Sequence, residues 1–122
     1  MLDHIDIGVT DLSSSSRFFE SALAPLGITV LTEGAHGTGF GANGNSCLFL
    51  APTGATPTPF HIAFSARSHA EVRAFYEAAM KAGGKDNGPP GLRTHYHPSY
   101  YAAFVIAPDG HNVEAVCHKA EA

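Results

Sequence analysis

The stretch Phe60-His61-Ile62-Ala63-Phe64-Ser65 decides how the chain is to be read. With the period of two that a strand imposes, Phe60, Ile62 and Phe64 fall on one side and His61, Ala63 and Ser65 on the other. The first side is large and apolar and suits packing beneath a helix. The second is small and polar and suits the wall of a cavity. The N-terminus repeats the design, with Ile5, Ile7 and Val9 alternating with His4, Asp6 and Gly8. Each stretch carries one histidine near its start, on its less apolar face.

These two stretches open a longer repeat. His61 follows His4 by 61 − 4 = 57 residues, and the same offset takes Ile5 to Ile62, Phe18 to Phe75, Phe19 to Tyr76, Glu20 to Glu77 and Gly27 to Gly84. A strand–helix–glycine match at one constant spacing indicates an internal duplication. In the first copy Asp11 is the expected N-cap of a helix in which Leu12, Phe18, Phe19, Leu23 and Leu26 recur at helical spacing, closed by Gly27. Strands are expected at about 28–33, 38–42 and 46–51. In the second copy Asp11 maps to Ser68, which with Glu71 reads as a capping box. Its elements are a strand at 59–66, a helix at 69–82, and strands near 84–87, 99–107 and 112–118. Residues 52–59 read as a linker, and Gly88 to Pro98 is an insertion that the first copy lacks.

The expected architecture is one α+β domain over 1–122, with module one at about 1–52 and module two at about 58–118. Tandem β-α-β-β-β modules would form a cup-shaped mixed sheet with the helices outside. Helix-facing residues would be Ile5, Ile7, Val9, Leu48, Leu50, Ile62, Phe64, Val113, Ala115 and Cys117, leaving the opposite faces to line the cup.

With 44% apolar and 15% charged residues the chain has an ordinary globular composition, neither disordered nor membrane-spanning. No apolar run approaches the ~18–20 residues of a transmembrane helix, and Met1-Leu2-Asp3-His4 lacks the basic start of a signal peptide. A cytoplasmic location is expected, with Cys47 and Cys117 as reduced thiols. A net charge of −4, with seven Lys plus Arg and no basic cluster, argues against a nucleic-acid partner. Histidine is the anomaly, at eight residues.

The last strand puts Asn112, Glu114, Val116 and His118 on one face. A carboxylate between apolar neighbours needs a partner, because burying it alone is expensive. Together His4, His61 and Glu114 could offer two imidazole nitrogens and a carboxylate to a divalent ion such as Fe, Mn, Ni, Co or Zn. Taken alone, each histidine reads better as a hydrogen-bonded core or surface residue, and Glu114 as half of an ion pair. The duplicated histidine position favours the joint reading.

The insertion adds Arg93, His95, His97, Tyr100 and Tyr101 within nine residues. Arg93 suits a carboxylate or phosphate, and His95 or His97 suits acid–base work near neutral pH. Tyr100 shares a face with Ala102 and Phe104, and Tyr101 with Ala103 and Val105, so one tyrosine reaches the cup and the other packs. His97 and Tyr101 are the catalytic candidates; Arg93, His95, Tyr100 and Phe49 are the substrate-contact candidates. The competing reading is a surface loop stiffened by prolines. His36, His69 and His111, in turns or at a helix start, are expected to be solvated, and His118 sits at a strand end.

The runs His4-Ile5-x-Ile7-x-Val9-x-Asp11-Leu12, Phe18-Phe19-Glu20, Phe60-His61-Ile62-Ala63-Phe64 and Pro108-Asp109-Gly110-His111-Asn112-Val113-Glu114 together resemble the vicinal oxygen chelate superfamily. That group includes glyoxalase I, bleomycin-resistance proteins, fosfomycin-resistance transferases and extradiol dioxygenases. The resemblance implies paired β-α-β-β-β modules, a homodimer, and metal ligands at His4, His61 and Glu114, where a metal would bind two adjacent substrate oxygens as a Lewis acid. The chain departs from glyoxalase I-like members at Phe49, which stands where they carry a fourth, carboxylate ligand. The remaining His-His-Glu set looks more like that of the dioxygenases and fosfomycin-resistance enzymes. Two functions follow as expectations: a metal-dependent enzyme acting on a small oxygenated substrate, or a metal-free small-molecule binder of the bleomycin-resistance type.

Overall fold

A computed structural model describes residues 3–53 and 59–121. Strand β1 (Ile5–Val9) leads through the Asp11 N-cap, whose carboxylate accepts from the Ser14 N–H at 3.1 Å, into helix α1 (Leu12–Leu23). A 3-10 turn at Ala24–Leu26 ends on Gly27, whose φ of 80° is left-handed and favours glycine. Strands β2 (Thr29–Gly34), β3 (Gly37–Ala42) and β4 (Asn45–Pro52) complete the first unit. The second unit is β5 (His61–Ser65), α2 (His69–Lys81), β6 (Lys85–Asp86), β7 (Gly91–Leu92), β8 (Tyr101–Ile106) and β9 (Asn112–Cys117).

The order in the first sheet is β1-β4-β3-β2 and in the second β5-β9-β8-β6, with β7 pairing onto β8. Within each sheet one pair is parallel, β1 with β4 and β5 with β9, as a strand–helix crossover requires. The duplication is exact in register: Asp6 lies opposite Phe49, and Ala63, its counterpart at 6 + 57, lies opposite Glu114. Phe49 therefore holds in the first sheet the place that Glu114 holds in the second. The elements thus form an α+β fold of two unclosed mixed sheets.

The helices pack on each other and on the backs of the sheets, around one core that contains Phe18, Phe19, Phe40 and Phe75, all fully buried. Each such side chain contributes about 1.5–3 kcal/mol by leaving water. Ile7, Val9, Leu48, Leu50, Phe64, Val113, Ala115 and Cys117 join this core as the alternation predicts, with Ile5 and Ile62 partly buried beside it.

Four expectations need correction. Phe60 lies outside the strand and is 41% exposed, because its N–H turns to a histidine rather than to a ladder. His111 is fully buried: its Nδ1 accepts from the Phe60 N–H at 2.9 Å, so its proton sits on Nε2 and is donated to the Gly8 carbonyl at 2.8 Å. His69 is also buried, stacked on Tyr101 at 3.8 Å with Nε2 on the Lys119 carbonyl at 2.9 Å. The insertion is not plain loop, since β7 pairs Gly91 with Ala102 and Leu92 with Tyr101.

The capping box also differs in detail. Ser68 Oγ accepts from the Glu71 N–H at 3.1 Å, but Glu71 reaches back one residue further, to the Arg67 N–H at 2.8 Å. His36 lies in an exposed turn, and Cys47 and Cys117 are free thiols. Most of the expected linker, at 54–58, lies outside the described residues. No described helix is long and apolar enough to cross a membrane.

Candidate functional site

Strand β9 alternates so that Val113, Ala115 and Cys117 enter the core and Glu114 faces the cup. Glu114 is 2% exposed, and both its oxygens are engaged. Oε1 faces His61 Nε2 at 2.8 Å, and Oε2 accepts from the Tyr100 hydroxyl. This answers the question that the sequence raised about a carboxylate in an apolar strand: two donors offset its desolvation. Burial first, then the bond to Glu114 and its charge, push the Tyr100 hydroxyl up to about 12.

Of the two tyrosines, Tyr100 is the one at the carboxylate. Tyr101, expected as catalytic, faces helix α2 instead, stacked on His69 and accepting from Arg73 Nη1 at 3.4 Å. Strand alternation makes these two placements exclusive. His97 is half-buried beside Tyr100, with ring centres 5.4 Å apart. Its Nδ1 accepts from the Ser99 N–H at 3.1 Å, so Nε2 carries the proton and donates it to His118 Nδ1 at 2.7 Å. His95 is exposed and packs on Tyr96, at 4.3 Å between ring centres.

Arg93 lies on the wall of a recess of about 400 Å³ that also includes His61, Asn87, Tyr96, Phe104 and Asn112. Its guanidinium sits 5.3 Å from the centre of the Phe104 ring and donates to the carbonyls of Gly91 and Pro89, each at 2.8 Å. Phe104 and Gly88 were not singled out from the sequence. The pairing of Phe104 with Glu114 across β8 and β9 is the signal that finds the first of them.

On the first sheet, Phe49 lines a second recess, of about 540 Å³, with His4, Asp3, Asp6 and Ser46. Its ring lies against a shelf of glycines, where a Cβ at Gly37 would fall 2.7 Å from the ring. His4 Nδ1 bonds Asp3 at 2.7 Å, and that bond, with the charges of Asp3 and Asp6, raises the imidazole above its ordinary pKa. With its proton held on Nδ1, His4 has Nε2 3.9 Å from Asp6 Oδ1.

The donor set can be tested against a metal. Two ligand atoms each about 2.1 Å from a shared ion and at right angles lie roughly 3 Å apart. His61 Nε2 and Glu114 Oε1, at 2.8 Å, are compatible with that separation, which is also the length of the hydrogen bond they make here. His4 lines a cleft of about 410 Å³ together with His61 but does not join the pair. Among the described residues, no three His, Cys, Asp or Glu side chains converge to hold a metal ion. The structure brings together two of the three expected ligands and leaves the third across a cleft.

Residues 1–115 match the family model described as the Glyoxalase/Bleomycin resistance protein/Dioxygenase superfamily. The fold is similar to that of a glyoxalase/bleomycin resistance protein from Albidiferax ferrireducens T118, at 26% identity and a TM-score of 0.81, covering 96% of this chain and 98% of that one. A lactoylglutathione lyase from Agrobacterium tumefaciens shares the fold at 14% identity and a TM-score of 0.71, over 96% of this chain and 92% of its own. The oxidase ChaP-H2 does so at 21% identity and a TM-score of 0.69, over 98% and 94%. No curated protein matches the chain.

Proposed function

Because the chain belongs to the glyoxalase/bleomycin resistance protein/dioxygenase superfamily, we propose that it is a metal-dependent enzyme, a cytoplasmic homodimer that acts on a small oxygenated substrate. The observation that carries this reading is the His61–Glu114 pair, two donors 2.8 Å apart of which His61 lies on the wall of a recess. In this reading His61 and Glu114 would hold a divalent ion, and His4, which lines the same cleft as His61, would be the third ligand. A bound divalent ion supplies Lewis acidity, polarising two adjacent substrate oxygens and stabilising the negative charge that develops on them.

The chain's own residues supply the rest. Tyr100 holds Glu114 Oε2, which leaves only Oε1 turned toward His61, so the carboxylate presents one oxygen in a fixed direction. Arg93 receives the polar or anionic end of the substrate, with Tyr96 and Phe104 as apolar walls. His97 stands behind Tyr100, where it keeps the loop folded against the end of β9 through His118. Phe49, in the register position of a carboxylate ligand, offers an aromatic surface and no base.

Metal content of untagged protein by mass spectrometry, beside Glu114→Gln, tests the reading. About one equivalent of Fe, Mn, Ni, Co or Zn per chain, lost in the variant, is expected. No metal after reconstitution with each ion would sink it. One observation favours a second reading, a metal-free binder of the bleomycin-resistance type: the Phe49 recess carries Asp3 and Asp6, which suits a cationic ligand. Saturable binding of an organic cation by metal-free protein, abolished in Asp6→Asn, is what that reading expects.

A further inference from the structure

Gly88, Gly91 and Phe104 build a slot for one side chain. A Cβ at Gly88 would lie 2.9 Å from Arg93 Nη2 and 3.0 Å from Phe104, and one at Gly91 would lie 3.2 Å from Arg93 Nη1. Gly88 also has a φ of 147°, which L side chains rarely adopt. Its N–H is held by the Asp86 carboxylate at 2.9 Å, and the Phe104 N–H donates to its carbonyl at 2.9 Å. The guanidinium thus sits beside the Phe104 ring and the Gly88 backbone, with Nη1 and Nη2 anchored by the carbonyls of Gly91 and Pro89.

Those carbonyls use two of its five N–H donors, and no partner for the others is found among the described residues. The cation is oriented before any ligand arrives, so little of its side-chain entropy remains to be lost on binding. The recess it borders includes no carboxylate side chain in its lining, so Arg93 meets no competing anion there. His61 is on the same wall, and its ring centre is 6.1 Å from that of Phe104.

We propose that this recess is a preformed subsite for the carboxylate group of a small carboxylic acid, received by the open edge of Arg93 while the acid's other end reaches His61. The assignment deepens the enzyme reading and names its substrate class. A flat guanidinium edge matches two coplanar oxygens in a bidentate pair, better than it matches a tetrahedral anion. One cation in a recess of about 400 Å³ suits a small monoanion and leaves room for one such as benzoate. Gly88 and Gly91 become specificity-determining positions, since they set where the guanidinium lies.

The test uses benzoate, benzamide and phenylphosphonate as probes, titrated by calorimetry on wild type, Arg93→Gln and Glu114→Gln, and by the Arg93 Hε resonance on wild type and Glu114→Gln. Benzoate should bind wild type and shift that resonance, and binding should weaken about 10- to 100-fold in Arg93→Gln, the loss of a charge-assisted pair. Benzamide, the neutral isostere, should bind no better than benzoate does to Arg93→Gln. Thermal unfolding like that of wild type is the control for a folded variant, and Arg93→Lys should recover part of the affinity. Unchanged benzoate binding in Glu114→Gln supports the subsite even where that chain holds no metal. Loss in Glu114→Gln equal to that in Arg93→Gln would move the carboxylate onto the Glu114 centre and overturn the proposal. So would tighter binding of phenylphosphonate, or equal binding of benzoate and benzamide.

Discussion

His111 and Gly8 are joined by an imidazole-to-carbonyl hydrogen bond of 2.8 Å that spans 103 residues. The bond ties the turn before β9 to β1, and the same ring accepts from the Phe60 N–H ahead of β5. Beside it the Asp109 carboxylate accepts from Ser15 Oγ at 2.7 Å and from the His111 N–H at 3.2 Å, which brings α1 into the joint. The Asp-Gly turn that reads as a family signature is therefore a mechanical connection between the two sheets.

Replacing His111 by alanine leaves the Phe60 N–H and the Gly8 carbonyl without their partner and opens a space in the interior. A loss of about 2–4 kcal/mol is expected in urea unfolding. A change below about 0.5 kcal/mol would mean that the joint does not matter to the fold.

Tyr100→Phe removes the donor on Glu114 Oε2 and keeps the ring between His97 and His118. Stability should fall by about 1–3 kcal/mol, because one oxygen of a buried carboxylate loses its donor. Affinity for the divalent ion should fall about 10- to 100-fold, as measured by competition with a coloured chelator. Tyr101→Phe, on the other face, should leave that affinity unchanged.

The acid limb of stability should depend on Glu71. Its pKa is lowered, first by the Arg67 N–H and then by the Arg67 side chain. A carboxylate with a lowered folded pKa adds stability that is present above its unfolded value of 4.5 and lost as pH falls through the folded one. Glu71→Gln should therefore flatten the fall in melting temperature below that pH while lowering the plateau at neutral pH. An acid limb with the wild-type slope would count against it.

Gly37→Ala tests the shelf under Phe49. A Cβ there would fall 2.2 Å from the Leu50 carbonyl, in a backbone with φ of 144°. The rise in strain should cost about 2–4 kcal/mol in chemical unfolding. At Gly34, where a Cβ meets nothing within 4 Å, the same change should be nearly silent.

The sequence by itself determined the main elements, their order and their duplication, though not β7 inside the insertion. Apolar period, caps and glycines are local or recur at a constant offset, so Asp11, Ser68 and Gly27 were legible without coordinates. It also grouped His61 and Glu114 with His4 as one donor set, of which the structure joins only the first two, and it placed Phe49 at the equivalent register. Only the tertiary structure decided which tyrosine meets Glu114. Alternation says that Tyr100 and Tyr101 part company, while the choice of face is made by the pairing of β8 with β9. The burial of His111 and His69 belongs to tertiary structure as well, since their partners, Gly8 and Lys119, lie 103 and 50 residues away. The same holds for the slot around Arg93 and for the cleft that separates His4 from His61. A period along the chain fixes the side on which a residue emerges, whereas what it meets there depends on how separate segments close against one another.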